Sequence, residues 1–110
     1  MRYYLIDEIS PSDMEKIDEF LKKNAIRSEM EKVFWVRIPK ELLGDIQYQH
    51  RECHPHLFSI ELGTNQLKVE FFIRNLNHLN CTCQSYCTLE QRDFILNFSQ
   101  KMIEELGIRT

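Results

Sequence analysis

Glycine and proline are scarce in this chain, three of each in 110 residues, and tryptophan occurs once. That excludes collagen-like, linker-rich and low-complexity organisation. No apolar run approaches the roughly 18 residues that a membrane span needs, and Asp7 and Glu8 interrupt the N-terminus before a signal-peptide core forms. The expectation is a cytoplasmic protein. Positive charge is in the minority, fourteen Lys and Arg against seventeen Asp and Glu, for a formal charge of -3. A groove built to neutralise many phosphates is therefore not expected, and nucleic acid is not an expected partner. Also missing are a Gly-rich phosphate loop, G-x-S-x-G, H-E-x-x-H and any C-x2-C knuckle.

What is present describes one domain over residues 1–110. Hydrophobic residues make up 43% and charged residues 28%, and a chain of this length buries roughly 60–70% of the surface its unfolded form exposes. Residues 3–7 read as a short strand. Ser10-Pro11-Ser12-Asp13 supplies an N-cap, a proline at the first helical position and an acid at the third, opening a helix that buries Met14, Ile17, Leu21 and Ala25. Val33 to Ile38 is β-branched and aromatic and ends at Pro39, a strand pattern. Residues 39–51 suggest a short helix or turn with Leu42, Leu43 and Ile46 inward.

From His56 the period changes to two. Phe58, Ile60 and Leu62 share one face, Gly63 to Gln66 form a turn, and Leu67, Val69, Phe71 and Ile73 share the facing strand's inner side. A third strand is expected over Leu79 to Tyr86. Thr88-Leu89-Glu90-Gln91 is a capping box, followed by a helix whose Phe94, Ile95, Leu96, Phe98, Met102, Ile103 and Leu106 fill an arc of about 200°. Gly107-Ile108 fits a left-handed cap. The sum is an α+β two-layer fold: an antiparallel sheet of about four to five strands with N- and C-terminal helices packed on one face.

Two stretches carry candidate chemistry, His50-Arg51-Glu52-Cys53-His54-Pro55-His56 and Cys81-Thr82-Cys83-Gln84-Ser85-Tyr86-Cys87. In a reducing compartment these cysteines are free thiols or metal ligands, not disulfides. Cys53, Cys81 and Cys83 with His50 or His56 offer the soft and borderline ligands that hold zinc or iron. The obstacle is spacing. Alternate residues on a strand stand about 6.6 Å apart, whereas two thiolates on one zinc lie within about 4 Å, so Cys81 and Cys83 can share an ion only where the strand is distorted. The competing reading makes them small core residues on the inward parity of the strand. Cys87, beside the helix N-cap, is the expected reactive thiol. Nucleophilic catalysis by Cys53 with a neighbouring histidine lacks an orienting third group, so a thiol-dependent enzyme ranks third and the pattern points away from catalysis.

Arg92 falls inside the apolar arc of the last helix, where its guanidinium can reach a carboxylate, bind an anion near the helix N-terminus, or snorkel to solvent. The paired carboxylates Asp7-Glu8, Asp18-Glu19 and Glu104-Glu105 read as solvated surface. Val33, Trp35, Phe72 and Tyr86 fall on the outward parity of their strands and form an aromatic face, either covered by Tyr3, Tyr4 and Leu5 or left to meet a protein partner or a second subunit of a homodimer. The leading functional expectation is a binding module that uses this face; the alternative is the metal-binding module.

The strings Phe34-Trp35-Val36-x-Ile38-Pro39-x2-Leu42-Leu43, His50-x2-Cys53-x-Pro55, Glu70-Phe71-Phe72-Ile73-Arg74 and Cys81-x-Cys83-x2-Tyr86-Cys87-Thr88-x2-Gln91-Arg92 resemble a family of short uncharacterised bacterial proteins. The resemblance implies a bacterial cytoplasmic origin and carries no activity, cofactor or fold with it.

Overall fold

A computed structural model describes residues 2–110. Ten regular elements follow in chain order: β1 (Tyr3–Ile6), α1 (Pro11–Asn24), β2 (Ile26–Arg27), β3 (Val33–Arg37), α2 (Asp45–Gln49), β4 (Leu57–Leu62), β5 (Leu67–Glu70), β6 (Phe72–Ile73), β7 (Ser85–Tyr86) and α3 (Leu89–Glu105). Two 3₁₀ turns, Lys40–Leu42 and Arg51–Cys53, flank α2. Five strands form one antiparallel sheet in the order β1-β5-β4-β3-β2, and β6 and β7 pair separately. This is the α+β architecture that the alternation of periods predicts.

Register decides which face is dry. Opposite residues in an antiparallel pair share a face, and Phe34↔Ile60, Val36↔Phe58, Ile60↔Val69, Leu62↔Leu67 and Ile6↔Leu67 put the apolar set on one side. Against it lie Met14, Ile17 and Leu21 of α1 and Ile95, Met102 and Ile103 of α3, all in one buried cluster. Phe58 meets Phe94 and Phe98 edge-on at 6.4 and 6.0 Å. Both helices begin as their residues dictate. Ser10 Oγ accepts the Asp13 N–H at 3.2 Å, and Thr88 and Gln91 exchange the two bonds of a capping box at 3.2 and 2.9 Å. At the far end Gly107 takes φ +67°, and the Ile108 N–H donates to Ile103 O at 3.1 Å, the Schellman arrangement.

Three expectations need correction. The third strand over Leu79 to Tyr86 shrinks to Ser85–Tyr86, because two successive turns occupy the residues before it, with the Cys81 N–H donating to His78 O at 3.0 Å. Ile46 is 56% exposed, and Gln47 takes the inward position of α2 instead. That side chain accepts the Gly44 N–H at 3.0 Å and an N–H of buried Gln91 at 2.9 Å, so hydrogen bonding outweighs apolarity at this site. Finally, Tyr4 does not cover the outer aromatic face. It faces the helices, where its hydroxyl accepts from Gln100 at 2.8 Å.

Candidate metal centre

The first half of the centre is a strap between α2 and β4. His50 closes α2, its N–H donating to Ile46 O, and the chain tightens at once into the 3₁₀ turn that ends at Cys53, whose N–H donates to His50 O at 3.0 Å. In 3₁₀ geometry residues three apart eclipse one another. The spacing His50-x2-Cys53 therefore turns imidazole and thiol to the same side.

The second half is the loop from Arg74 to Gln84. Buried Asn75 organises it: Oδ1 accepts the N–H groups of Asn77 and His78, and Nδ2 donates to His78 O. Gln84 closes the far side, Oε1 accepting the Asn75 N–H at 3.1 Å and Nε2 donating to Leu79 O at 2.6 Å. Asn77 Nδ2 then donates to His54 O at 3.2 Å, joining loop to strap. With Cys81 and Cys83 on turns and not on a strand, the 6.6 Å repeat does not apply to them.

The two halves bring His50, Cys53, Cys81 and Cys83 together, with one ligand atom from each lying within 4.8 Å of all the others. His50 Nδ1 is 3.0 Å from Cys81 Sγ. Tetrahedral zinc with Zn–S bonds near 2.3 Å needs sulfur separations of about 3.8 Å, a small contraction from what is present. The group can hold a metal ion. His56 stands outside the four. Its Nε2 is 3.3 Å from Cys83 Sγ, while Nδ1 is buried with no partner among the described residues. Of the two histidines left open by the spacing, His50 is placed to ligate and His56 stands behind a ligand.

The site is steeply graded. Cys53 and Cys83 are 1% and 2% exposed, whereas His50 and Cys81 are half-buried at the solvent side. Burial pushes the Cys53 thiol up, and pushes Cys83 up to about 12 with help from the neighbouring Cys81 and Cys53. Cys81 goes the other way, to about 7, because the Cys83 backbone N–H and the Cys83 and His50 side chains donate to it. Burial, then His54 and His50, hold His56 neutral, down to about 4. Were all three to ionise, adjacent thiolates in a partly dry site would need a cation, which a divalent ion bound to thiolate and imidazole would supply.

The remaining candidates lie elsewhere. Cys87 is half-buried against the core, and burial raises its thiol despite its own backbone N–H and Arg92, so the macrodipole does not make it a thiolate. Arg92 is exposed at a cleft it shares with Arg2, Tyr86 and Thr88, with no carboxylate in ion-pair range among the described residues. Val33 and Trp35 are half-buried on the outer sheet face beneath a groove of about 490 Å³ walled by Met30, Leu76 and Leu79. Phe72 meets Tyr86 edge-on at 4.9 Å, with Arg74 over the first ring and Arg2 over the second. The N-terminal segment thus covers part of the aromatic face through Arg2. Asn75, Gln84 and Gln47 were not signalled as site residues by spacing; the Asn-x-Asn-His turn chemistry of residues 75–78 was the available cue.

Comparison with protein-family models, with curated proteins and with solved structures finds no match. Among the described residues no helix is long and apolar enough to cross a membrane.

Proposed function

We propose that this chain is a small metal-binding domain whose centre is one zinc ion held by His50, Cys53, Cys81 and Cys83. The observation that carries the reading is the mutual approach of four ligand atoms to within 4.8 Å from two separate segments. A single ion suits so compact a set, and thiolate with imidazole in a tetrahedral arrangement suits zinc. Four protein ligands leave no open position, which is the mark of a structural and not a catalytic zinc. The ion's role is to pin the strap to the loop, and the domain acts by binding. A reducing cytoplasm, in a bacterium as the family resemblance implies, fits four cysteines that are all free. Elemental analysis of protein purified without chelator tests this. One zinc per chain is expected, with cobalt substitution giving thiolate-to-metal charge-transfer bands; sub-stoichiometric zinc and iron, with no effect of added metal on melting, would sink it.

The outer groove favours a second reading, a protein partner or second subunit docked over Trp35. Leu79 is 70% exposed, Met30 62% and Leu76 45%, a concentration of large apolar side chains that marks contact surfaces. Sedimentation at micromolar concentration, with and without Leu79→Asp, distinguishes self-association from a monomer.

A further inference from the structure

A cavity of about 460 Å³ opens beside the strap, between the 3₁₀ turn at Lys40 and residues 54–56. It is separate from the four ligands and falls in the size range of small-molecule sites. Its polar lining is Arg37, Lys40, Glu41 and His54, over an apolar base that includes Ile38 and Leu43. Neither Arg37 nor Lys40 joins an ion pair among the described residues, and Glu41 is equally free. Two cations and one carboxylate therefore face a common space without neutralising one another.

His54 adds a constraint that follows from its partner. Nε2 lies 2.9 Å from Gln47 O, and a backbone carbonyl only accepts, so the Nε2–H is committed there and is not a donor for a ligand. Behind it, His56 forms part of the wall, with its Nδ1 buried out of a ligand's reach. The site thus offers positive charge together with one acceptor, the Glu41 carboxylate. A fully deprotonated anion satisfies the cations and meets Glu41 with lone pairs alone. An anion that retains an O–H satisfies both sets.

We propose that this cavity binds orthophosphate as monohydrogen phosphate, with Arg37 and Lys40 meeting its charge and Glu41 accepting its one O–H. The chemistry excludes its near relatives. Sulfate has the same shape and charge but no proton near neutral pH. A phosphomonoester loses its second proton near pH 6, so methyl phosphate presents no O–H in mildly alkaline buffer. The site does not depend on the zinc reading, since the closed ligand set leaves the ion no position for phosphate.

Calorimetric titration of the purified protein, its metal content measured alongside, with phosphate, methyl phosphate and sulfate at about pH 7.5 tests the proposal. Phosphate is expected to bind roughly tenfold or more tightly than either analogue, the worth of about one charge-assisted hydrogen bond. Arg37→Gln and Lys40→Gln, both exposed positions, each weaken phosphate by a similar factor, and Glu41→Gln closes the gap between phosphate and sulfate by supplying a donor. Equal affinity for the three anions, binding that ignores Arg37→Gln, or a gap unchanged in Glu41→Gln overturns it. Metal-free protein that still binds phosphate through Arg37 removes the zinc centre and leaves this site standing.

Discussion

His56 and Cys83 meet in the driest part of the molecule, with Nε2 3.3 Å from Sγ and neither residue more than 2% exposed. Once Cys83 is a thiolate the imidazole is the donor, and Asn75 Nδ2 donates to the same sulfur at 3.6 Å. Groups that donate to a metal ligand set its orientation and donor strength, and losing one costs roughly 10- to 100-fold in affinity. His56→Phe keeps the ring's bulk and removes both nitrogens. Zinc affinity by chelator competition is expected to fall by that factor with stoichiometry unchanged; unaltered affinity would show the contact to be packing alone.

Metal uptake is expected to depend on pH with a bend near 7. Cys53 and Cys83 are raised by burial and stay protonated through neutrality, while Cys81 is lowered to about 7. Binding therefore expels about two thiol protons above pH 7 and about three below it. The logarithm of the zinc association constant, followed against pH, should rise with a slope that drops by about one as pH passes 7. A straight line through that region would contradict the assignment of Cys81 as the low thiol.

Away from the centre, Asp18 ties α1 to the turn before β3, with Lys22 at 2.9 Å and Lys32 at 3.4 Å from Oδ2. Burial raises its carboxyl, but the hydrogen bonds and charge of Lys22 and Lys32 outweigh that and leave it lowered. A depressed folded value means that the stabilisation is complete above the unfolded carboxyl range near 4 and fades as pH falls through the folded one. Asp18→Asn should cost about 0.5–1 kcal/mol at pH 7, and denaturation midpoints of the two proteins should converge as pH falls through the lowered folded value.

Gln91 carries the strongest stability forecast. Fully buried, it accepts the Thr88 N–H and donates to Leu42 O and Gln47 Oε1, both at 2.9 Å. Gln91→Leu removes half of the capping box and strips two buried acceptors of a donor, which is expected to cost about 2–3 kcal/mol in urea denaturation. A loss under about 0.5 kcal/mol would mean that water replaces the amide.

The layers and the site differed in how far sequence could reveal them. Phe58, Ile60 and Leu62, or Met14, Ile17 and Leu21, disclose their faces through local periodicity, and Thr88 with Gln91 announces a helix start within four residues. The residue types at the centre were equally visible. Their arrangement was not, because the alternation of Leu79, Cys81 and Cys83 imitates a strand while Asn75 and Gln84, acting across the loop, fold it into turns. The same kind of side-chain bonding turned Gln47 inward and left Ile46 outside. Polar contacts between distant residues leave no periodic trace, and they decide this part of the molecule.

Those ligands also lie far apart along the chain, His50 and Cys81 being separated by 31 positions. An ion bound to both closes a covalent-like ring around the whole β4–β5 hairpin. For a ring of about 30 residues, cross-linking removes chain entropy worth about 3–4 kcal/mol from the unfolded state. The metal would then act on the unfolded ensemble as a disulfide does, without any oxidation of the cysteines.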